Sequence, residues 1–181
     1  MSASRSSALN VVLIGFMGCG KSVIGPRLAT LLGFDFLDTD QLIVEAAGKS
    51  IPDIFAAEGE AGFRAHETAA LQSLLARGQL RSVISTGGGI VTQPTNEAAL
   101  RALGCLLWLT SSDETLWQRV RRNRERPLLH TDDPRQTFDE LLTRRRPLYQ
   151  ALADLTIDTT GLTVEEAAYG ISESVRVHFN P

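Results

Sequence analysis

Short apolar runs alternate along the chain with longer stretches in which apolar positions recur every three or four residues. This alternation is typical of βαβ units, in which helices cover a parallel sheet. The run Val11–Ile14 is apolar at every position, as expected for a strand that is buried on both faces. The pattern therefore predicts an α/β protein. The predicted strands are Asn10–Ile14, Phe34–Leu37, Ser82–Ser85, Leu106–Leu109 and Leu155–Ile157, and the predicted helices are Gly20–Leu32, Glu58–Ala76, Thr95–Leu103, Asp113–Arg121, Pro134–Leu152 and Val164–Phe179.

The periodicity fails between Arg122 and Arg135, where two prolines and several charged residues occur. Residues 122–135 are therefore predicted to form a mobile lid rather than a linker between domains. The small and polar residues 1–9 are predicted to be a disordered or loosely ordered extension. Residues 10–181 are then expected to form a single domain, which suits a chain of 181 residues.

Composition argues against several classes of protein. The net charge of −3 and the pI near 5.6 argue against a general nucleic-acid or membrane-surface binder. No apolar run approaches the roughly 20 residues that span a bilayer. Two cysteines are too few for a disulfide framework, so a cytoplasmic protein is expected. A monomer is expected as well, because no apolar surface stripe is left over.

The segment Gly15–Ser22 reads GFMGCGKS and fits the phosphate-loop pattern G-x-x-x-x-G-K-[ST], between a predicted strand and a predicted helix. Glycines let such a loop wrap closely around phosphates with its amides pointing inward. Lys21 is expected to reach the β- and γ-phosphates, and the Ser22 hydroxyl is expected to bind Mg²⁺. The motif predicts binding of a nucleoside triphosphate and nothing more specific.

Arginine supplies almost all the positive charge, since the chain has only two lysines. Nine arginines lie between Arg119 and Arg146, against five acidic residues. The block favours an anionic ligand held by bidentate guanidinium groups, although solvated helix faces would give the same composition. Arg64 stands apart, three residues before Glu67 on a predicted helix. Glu67 is expected to orient Arg64 toward a carboxylate, and the alternative is a surface salt bridge.

Two further polar groups follow predicted strands, at the sheet edge where α/β proteins bind ligands. Asp38 and Asp40 are two residues apart, so in an extended segment both would face one site. One would hold a metal through water and the other would orient a substrate hydroxyl. Helix capping by Thr39 or Asp40 is the alternative. The next strand ends at Ser85, before glycines 87–89. Their backbone, which no side chain covers, would let a substrate approach closely; the alternative is that the glycines only form a flexible turn.

Taken together, these motifs resemble the shikimate kinase family. The resemblance runs from about Asn10 to Asp158 and includes, in order, Gly15–Ser22, Asp38-Thr-Asp40, Ser50–Phe55, Phe63-Arg64-x-x-Glu67, Ser85–Gly89, Arg126–Leu129 and Arg145-x-x-x-Tyr149. It implies a P-loop kinase fold, with a five-stranded parallel sheet flanked by helices, a substrate-binding segment at about 38–67 and a mobile lid. It also implies that ATP phosphorylates the 3-hydroxyl of shikimate, giving shikimate 3-phosphate and ADP, within aromatic amino-acid biosynthesis.

The resemblance implies a role for each candidate site residue. Catalysis would fall to Lys21, Asp40 and, from the lid, Arg126. ATP binding would fall to Gly18, Cys19, Gly20, Lys21, Ser22, Val23, Arg119 and Arg126. Shikimate binding would fall to Asp40, Arg64, Gly87, Gly88, Gly89 and Arg145, with the two arginines on its carboxylate. Mg²⁺ would be held by Ser22 directly and by Asp38 and Ser85 through water.

Two positions depart from the family's pattern. Val23 stands where many relatives carry Thr or Ser, which removes a hydroxyl contact to the α-phosphate but leaves the backbone amide. A modest effect on nucleotide affinity is expected. Gly161 and Leu162 come directly after Thr160, where some relatives place an arginine near the adenine.

Two other functions stay open at this level. A gluconate kinase or a nucleoside monophosphate kinase has the same fold, but Arg64, Arg145 and the three glycines favour a carboxylate substrate. A non-catalytic, nucleotide-responsive regulator is the second alternative. Such a protein is expected to have lost Lys21, Asp38, Asp40 or a clamp arginine, and this chain keeps them all.

Overall fold

The computed structural model describes residues 10–78, 81–122 and 127–179. The strands are β1 (Val11–Ile14), β2 (Asp35–Asp38), β3 (Ser82–Ser85), β4 (Cys105–Thr110) and β5 (Leu155–Asp158). The helices are α1 (Lys21–Leu32), α2 (Thr39–Ala47), α3 (Ile51–Ala76), α4 (Asn96–Leu103), α5 (Asp113–Val120), α6 (Pro134–Leu152) and α7 (Val164–Phe179), with short 3-10 helices at Ile90–Thr92 and Pro127–Leu129. The α/β class predicted from the apolar pattern is confirmed.

The five strands form one parallel sheet in the order β2-β3-β1-β4-β5. The central strand β1 and its neighbour β3 are buried at every position, which explains why β1 is apolar throughout. Ser85 at the end of β3 is in register with Leu13 of β1 on one side and with Asp38 of β2 on the other. The segments that follow these three strands therefore leave the sheet at the same edge.

Two helices differ from the sequence prediction. Helix α2 was not predicted, because β2 ends at Asp38 and α2 begins at Thr39, with no connecting loop to mark the change. The predicted start of α3 at Glu58 is wrong, since the helix begins at Ile51 after the cap residue Ser50. Gly59, with φ 68° and ψ −174°, breaks the helix and shifts its apolar face, so the first turns do not share the periodicity of the rest.

The predicted lid is only partly described. Within residues 122–135, a 3-10 helix covers Pro127–Leu129, and α6 begins at Pro134 with the side chain of Asp133 as its cap. The candidate catalytic residue Arg126 lies outside the described residues, and so does the predicted N-terminal extension at residues 1–9. Across the described ranges, no helix combines the length and the apolar character needed to cross a membrane.

A small hydrophobic cluster lies beside the main core. Ile43 of α2 packs with Ile54, Phe63 and Ala70 of α3, so these two helices form a side lobe with its own buried contacts. The lobe places the first turn of α2 and the middle of α3 next to the edge at which β1, β2 and β3 end.

Candidate active site

The loop between β1 and α1 follows a path that its glycines make possible. Gly15, Gly18 and Gly20 have φ angles of 145°, 83° and 102°, a region that other residues rarely adopt. A Cβ atom on Gly15 would also lie 2.4 Å from the carbonyl oxygen of Leu109. The glycines of the motif are therefore required by the backbone itself, before any ligand is considered.

Lys21 is buried at the first position of α1 and bonds to the loop that precedes it. Its Nζ donates to the carbonyl oxygens of Gly15 at 2.6 Å and Phe16 at 3.1 Å, and it lies 3.4 Å from the Cys19 sulfur. The positive end of the α1 dipole lies at the same place. A cation and a helix N-terminus thus converge on one point of the cleft, as a phosphate site requires.

A cleft of about 350 Å³ opens above this loop. Its lining includes most of the residues predicted to bind ATP, namely Gly18, Gly20, Lys21, Ser22, Val23 and Arg119. Cys19, which was also predicted to bind ATP, is fully buried and is not part of the lining. Arg119 donates from Nη1 to the carbonyl oxygen of Gly18 at 3.1 Å, which attaches α5 to the loop. The far wall is formed by Thr159 and residues 162–164, after β5.

The three predicted Mg²⁺ ligands line this same cleft. Ser22, Asp38 and Ser85 approach it from α1, β2 and β3. Among the described residues, no group of three or more His, Cys, Asp or Glu side chains is arranged to hold a metal unaided. A few oxygen donors beside a phosphate site suit Mg²⁺, which keeps several waters and takes phosphate oxygens as ligands. The donor set therefore fits the ion.

Asp38 and Asp40 both line the first cleft, but not for the predicted reason. The segment is not extended, because Asp40 lies in the first turn of α2. Asp38 is the cap of α2 and accepts a hydrogen bond from the Asp40 amide at 2.9 Å, so capping by Thr39 or Asp40 was wrong. Thr39 is buried, and its hydroxyl instead accepts a hydrogen bond from the Gly87 amide at 3.1 Å.

A second cleft of about 530 Å³ adjoins the first. The two clefts share Met17, Asp40, Gly87 and Gly88. The second cleft has an apolar wall from the side lobe and the 3-10 helix after residue 126, formed by Val44, Ile51, Pro52, Phe55, Phe63 and Leu128. Its polar lining includes the predicted substrate residues Arg64, Arg145 and Gly89, so the predicted nucleotide and substrate residues divide between two adjoining clefts.

Arg64 is held by two carboxylates of its own helix. Its Nη1 lies 2.6 Å from Glu67 Oε2 and its Nη2 lies 2.7 Å from Glu60 Oε1. The predicted pairing with Glu67 is present, and it is buried rather than on the surface. Burial opposes the charged form of Arg64, but the two carboxylates outweigh it and raise the pKa of Arg64. Burial also raises the pKa of Glu67, against the opposing effect of Arg64.

Arg145 of α6 is the second guanidinium group in this cleft and is 1% exposed. Its Nη2 lies 4.0 Å from Glu60 Oε1, and within the described part of the chain neither Nε nor Nη2 has a hydrogen-bond partner. Burial lowers the pKa of Arg145. A buried cation with unmade hydrogen bonds is costly, and an anion in the cleft would supply both the charge and the acceptors.

The glycine turn after β3 makes room for these side chains. A Cβ atom on Gly87 would lie 2.4 Å from Glu67 Oε1, and one on Gly89 would lie 2.0 Å from Arg64 Nη1. Gly89 has an ordinary φ of −96°, so the close approach of Arg64 alone requires a glycine there. The turn therefore lets the guanidinium group lie directly against the backbone.

Comparisons with known proteins agree with this arrangement. A family model for shikimate kinase matches residues 17–176. The chain is 48% identical over 161 residues to a shikimate kinase from Stenotrophomonas maltophilia (strain K279a), which covers 88% of each chain. It is 43% identical over 166 residues to one from Halorhodospira halophila, covering 92% of this chain and 93% of that one.

The chain belongs to the shikimate kinase family. Among solved structures, a shikimate kinase from Acinetobacter baumannii in complex with shikimate matches with a TM-score of 0.88 at 40% identity over 95% of each chain. The Aquifex aeolicus shikimate kinase matches with a TM-score of 0.79 at 32% identity, covering 93% of this chain and 97% of that chain. The predicted family and the predicted P-loop kinase fold are confirmed.

Two residues of this shikimate kinase family member contact the site but were given no role from the sequence. They are Glu60 and Tyr149. Glu60 stands four residues before Arg64, a spacing that places two side chains on one helix face, so the signal was present. Tyr149 stands four residues after Arg145, and its hydroxyl donates to the carbonyl oxygen of Gly88. The second contact joins residues that are far apart in sequence, and no local pattern predicts it.

Proposed function

We propose that this protein transfers the γ-phosphoryl group of ATP to the 3-hydroxyl of shikimate, giving shikimate 3-phosphate and ADP. This reaction is a step of aromatic amino-acid biosynthesis through chorismate. One observation carries the proposal: a phosphate-loop cleft and an arginine-lined cleft adjoin, with Asp40 on the lining of both. A phosphoryl donor in one and a hydroxy acid in the other would meet at that carboxylate.

The arginine-lined cleft suits a small hydroxylated carboxylic acid. Arg64 and Arg145 would hold the carboxylate, since two guanidinium groups converge there and each has at least one buried nitrogen without a hydrogen-bond partner among the described residues. The backbone of residues 87–89 would contact substrate oxygens. The apolar wall of the side lobe would cover the carbon ring and exclude water.

Asp40 is the proposed partner of the reacting hydroxyl. It lies where the two clefts join, so it would orient the 3-hydroxyl for in-line attack on the γ-phosphate and accept or steer its proton. Phosphoryl transfer depends on positioning and charge neutralisation more than on a strong base.

Neutralisation of the phosphate charge is assigned to cations from two elements. Lys21 would exchange the carbonyl oxygens of Gly15 and Phe16 for oxygens of the β- and γ-phosphates. Arg126 would close onto the same phosphates with the predicted lid at residues 122–135. It lies outside the described residues, so its role is a prediction of the family resemblance alone.

The nucleotide is assigned to the phosphate-loop cleft. Backbone amides of Gly18, Cys19, Gly20 and Val23 would cradle the phosphates, and Arg119 would lie against the adenine. All of these residues except Cys19 line the cleft. Mg²⁺ would be held by the Ser22 hydroxyl and, through water, by Asp38 and Ser85. When bound, the ion offsets charge on the transferring phosphoryl group.

The remaining proposals concern the whole chain. We infer that residues 10–181 form one domain after an extension at residues 1–9, with substrate binding centred on about 38–67. A cytoplasmic monomer without nucleic-acid or membrane partners is expected. Light scattering of the purified protein measures the oligomeric state directly.

A coupled assay of ADP release tests the reaction. MgATP is supplied with shikimate, gluconate, a nucleoside monophosphate or no acceptor. Turnover that depends on shikimate, with the other acceptors near background, is the expected result. Turnover with gluconate or a nucleoside monophosphate would assign one of the rival kinase activities. Binding of ATP without turnover of any acceptor would favour the regulatory alternative.

Arg126→Ala tests the proposed role of the lid. Because Arg126 would contact phosphates and not shikimate, kcat is expected to fall at least tenfold, with little change in the KM for shikimate. Arg122→Ala, which removes a charge near the same segment without an assigned contact, is the matched control. A variant whose only defect is a raised KM for shikimate would refute the role.

A further inference from the structure

Glu60 lies beside both arginines of the second cleft. Its Oε1 lies 2.7 Å from Arg64 Nη2 and 4.0 Å from Arg145 Nη2. Both arginines are buried, whereas the Glu60 side chain is 48% exposed. A carboxylate at the surface thus reaches inward to two buried cations, and it is the same chemical group that the cleft is proposed to bind.

The backbone at Glu60 provides a means for this carboxylate to move. Gly59 interrupts α3 with φ 68° and ψ −174°, so Glu60 begins the second part of the helix and lacks a complete turn before it. A Cβ atom on Gly59 would meet nothing within 4 Å, so this kink lies in open space. The surroundings therefore allow the helix start and the Glu60 side chain to shift.

Charge balance argues that Glu60 and a bound carboxylate exclude each other. Arg64 and Arg145 carry two positive charges, and Glu67, fully buried, already supplies one negative charge. Asp40 on the same lining and Glu60 beside the arginines supply two more, so the free site already has three carboxyl groups for two guanidinium groups. A substrate carboxylate beside an unmoved Glu60 would add an excess negative charge in a buried site, which is unfavourable.

We propose that Glu60 competes with the substrate carboxylate for Arg64 and Arg145. Glu60 pairs with these arginines in the free protein, and the substrate displaces it outward by a shift of the helix at Gly59. The proposal rests on the proposed function, since it takes the second cleft to bind a carboxylic acid. Glu60 keeps the two arginines neutralised and correctly spaced while the cleft is empty. It also raises the affinity that an anion needs in order to displace it, so that anions which bind weakly do not occupy the site.

Glu60→Gln tests the proposal, because glutamine keeps the size and removes the charge. The KM and the equilibrium Kd for shikimate are expected to fall roughly two- to fivefold, the range of a partly exposed ion pair. The kcat is expected to stay within about twofold, because Glu60 is absent from the lining of the phosphate-loop cleft. An unchanged or raised KM and Kd would overturn the proposal and make Glu60 a support for the arginines instead.

Glu58→Gln is the matched control. Glu58 lies on the other side of Gly59 and is also partly exposed, but its partners are His66 at 2.9 Å and Lys49 at 3.9 Å. The same charge is removed one residue from the kink, without touching the arginine pair. The KM for shikimate is expected to be unchanged in E58Q. If it fell as much as in E60Q, loss of any nearby negative charge would explain both results, and the proposal would be overturned.

A second probe separates this proposal from the proposed function. Sodium acetate carries only the carboxylate, so it needs the arginine pair and no other part of the substrate cleft. Thermal unfolding of wild type and E60Q is compared in sodium acetate and in sodium chloride of equal concentration. A larger acetate-dependent rise in Tm for E60Q supports displacement even if wild type fails to phosphorylate shikimate. Equal rises in the two proteins would overturn displacement even if shikimate is the substrate.

Discussion

The hydroxyl of Tyr149 donates a hydrogen bond to the carbonyl oxygen of Gly88, which ties α6 to the glycine turn after β3. Tyr149 is buried, and its ring stacks on Trp108 with the centroids 6.0 Å apart. Burial raises the pKa of the Tyr149 hydroxyl, so it remains a proton donor throughout the neutral range. Arg145 lies one helical turn before Tyr149. The hydrogen bond therefore fixes the position of Arg145 relative to the glycine turn after β3.

Tyr149→Phe is expected to lower the free energy of unfolding by about 1–2 kcal/mol, because the partly buried carbonyl oxygen of Gly88 loses its donor. The KM for shikimate is expected to rise, with the KM for ATP nearly unchanged. Urea unfolding and steady-state kinetics measure the two effects. Tyr169→Phe, at a tyrosine that is 62% exposed, is the control and should change neither quantity.

Gly89→Ala is expected to displace the guanidinium group of Arg64. The new Cβ atom would lie 2.0 Å from Nη1 and 2.2 Å from Cζ, and no backbone strain accompanies it. The KM for shikimate should rise at least tenfold, while binding of a fluorescent ATP analogue stays the same.

Gly170→Ala is the corresponding control for Gly89→Ala. Gly170 lies within α7, and a Cβ atom there meets nothing within 4 Å. This variant should keep wild-type kinetics and gain about 0.5–1 kcal/mol of stability from helix propensity. Normal shikimate binding by G89A would mean that Arg64 does not need its position against the turn.

Asp38 is expected to have two separable roles, as the cap of α2 and as a charge near Mg²⁺. Asparagine keeps a capping oxygen, so Asp38→Asn should leave stability within about 0.5 kcal/mol and raise the Mg²⁺ concentration needed for turnover. Asp38→Ala should change the Mg²⁺ dependence in the same way and should also lower the free energy of unfolding by about 1 kcal/mol. Kinetics across a Mg²⁺ series and thermal unfolding measure the two roles. If D38N shows the wild-type Mg²⁺ dependence, Asp38 is a cap only.

Glu67→Gln is expected to lower kcat/KM for shikimate at least tenfold at neutral pH, because Arg64 loses a buried, charge-assisted partner. Stability should depend on pH in a defined direction. Burial raises the pKa of Glu67 in the folded protein above its ordinary value of 4.5, so folding favours the protonated form. Its contribution is therefore fully present below about pH 4.5 and is lost as the pH rises through the folded pKa.

The stability of wild type relative to E67Q should accordingly decrease as the pH rises above about 4.5. Urea unfolding of both proteins across this range measures the difference. If the free energy of unfolding of wild type instead increased relative to that of E67Q as the pH rises, Arg64 would lower the pKa of Glu67 more than burial raises it. The activity loss would be unaffected by that outcome.

Much of the site could be predicted because its signals are local. The phosphate loop is one continuous segment whose glycines are set by backbone angles. The Arg64–Glu67 pair depends only on helical spacing. The strands were visible because a sheet covered on both faces requires apolar runs, and parallel strands bring their carboxyl ends to one edge. The shared motifs then identified the family.

Other features follow from packing between distant segments. The α/β class, the nucleotide site and the pair on α3 follow from local patterns of residues, because helical spacing and glycine geometry act within a few positions. Three contacts could be found only in the folded protein: Asp40 lies where two clefts meet, Gly89 lies against Arg64, and Glu60 approaches Arg145. The meeting of α3, α6 and the turn after β3 depends on how the whole sheet and the side lobe pack.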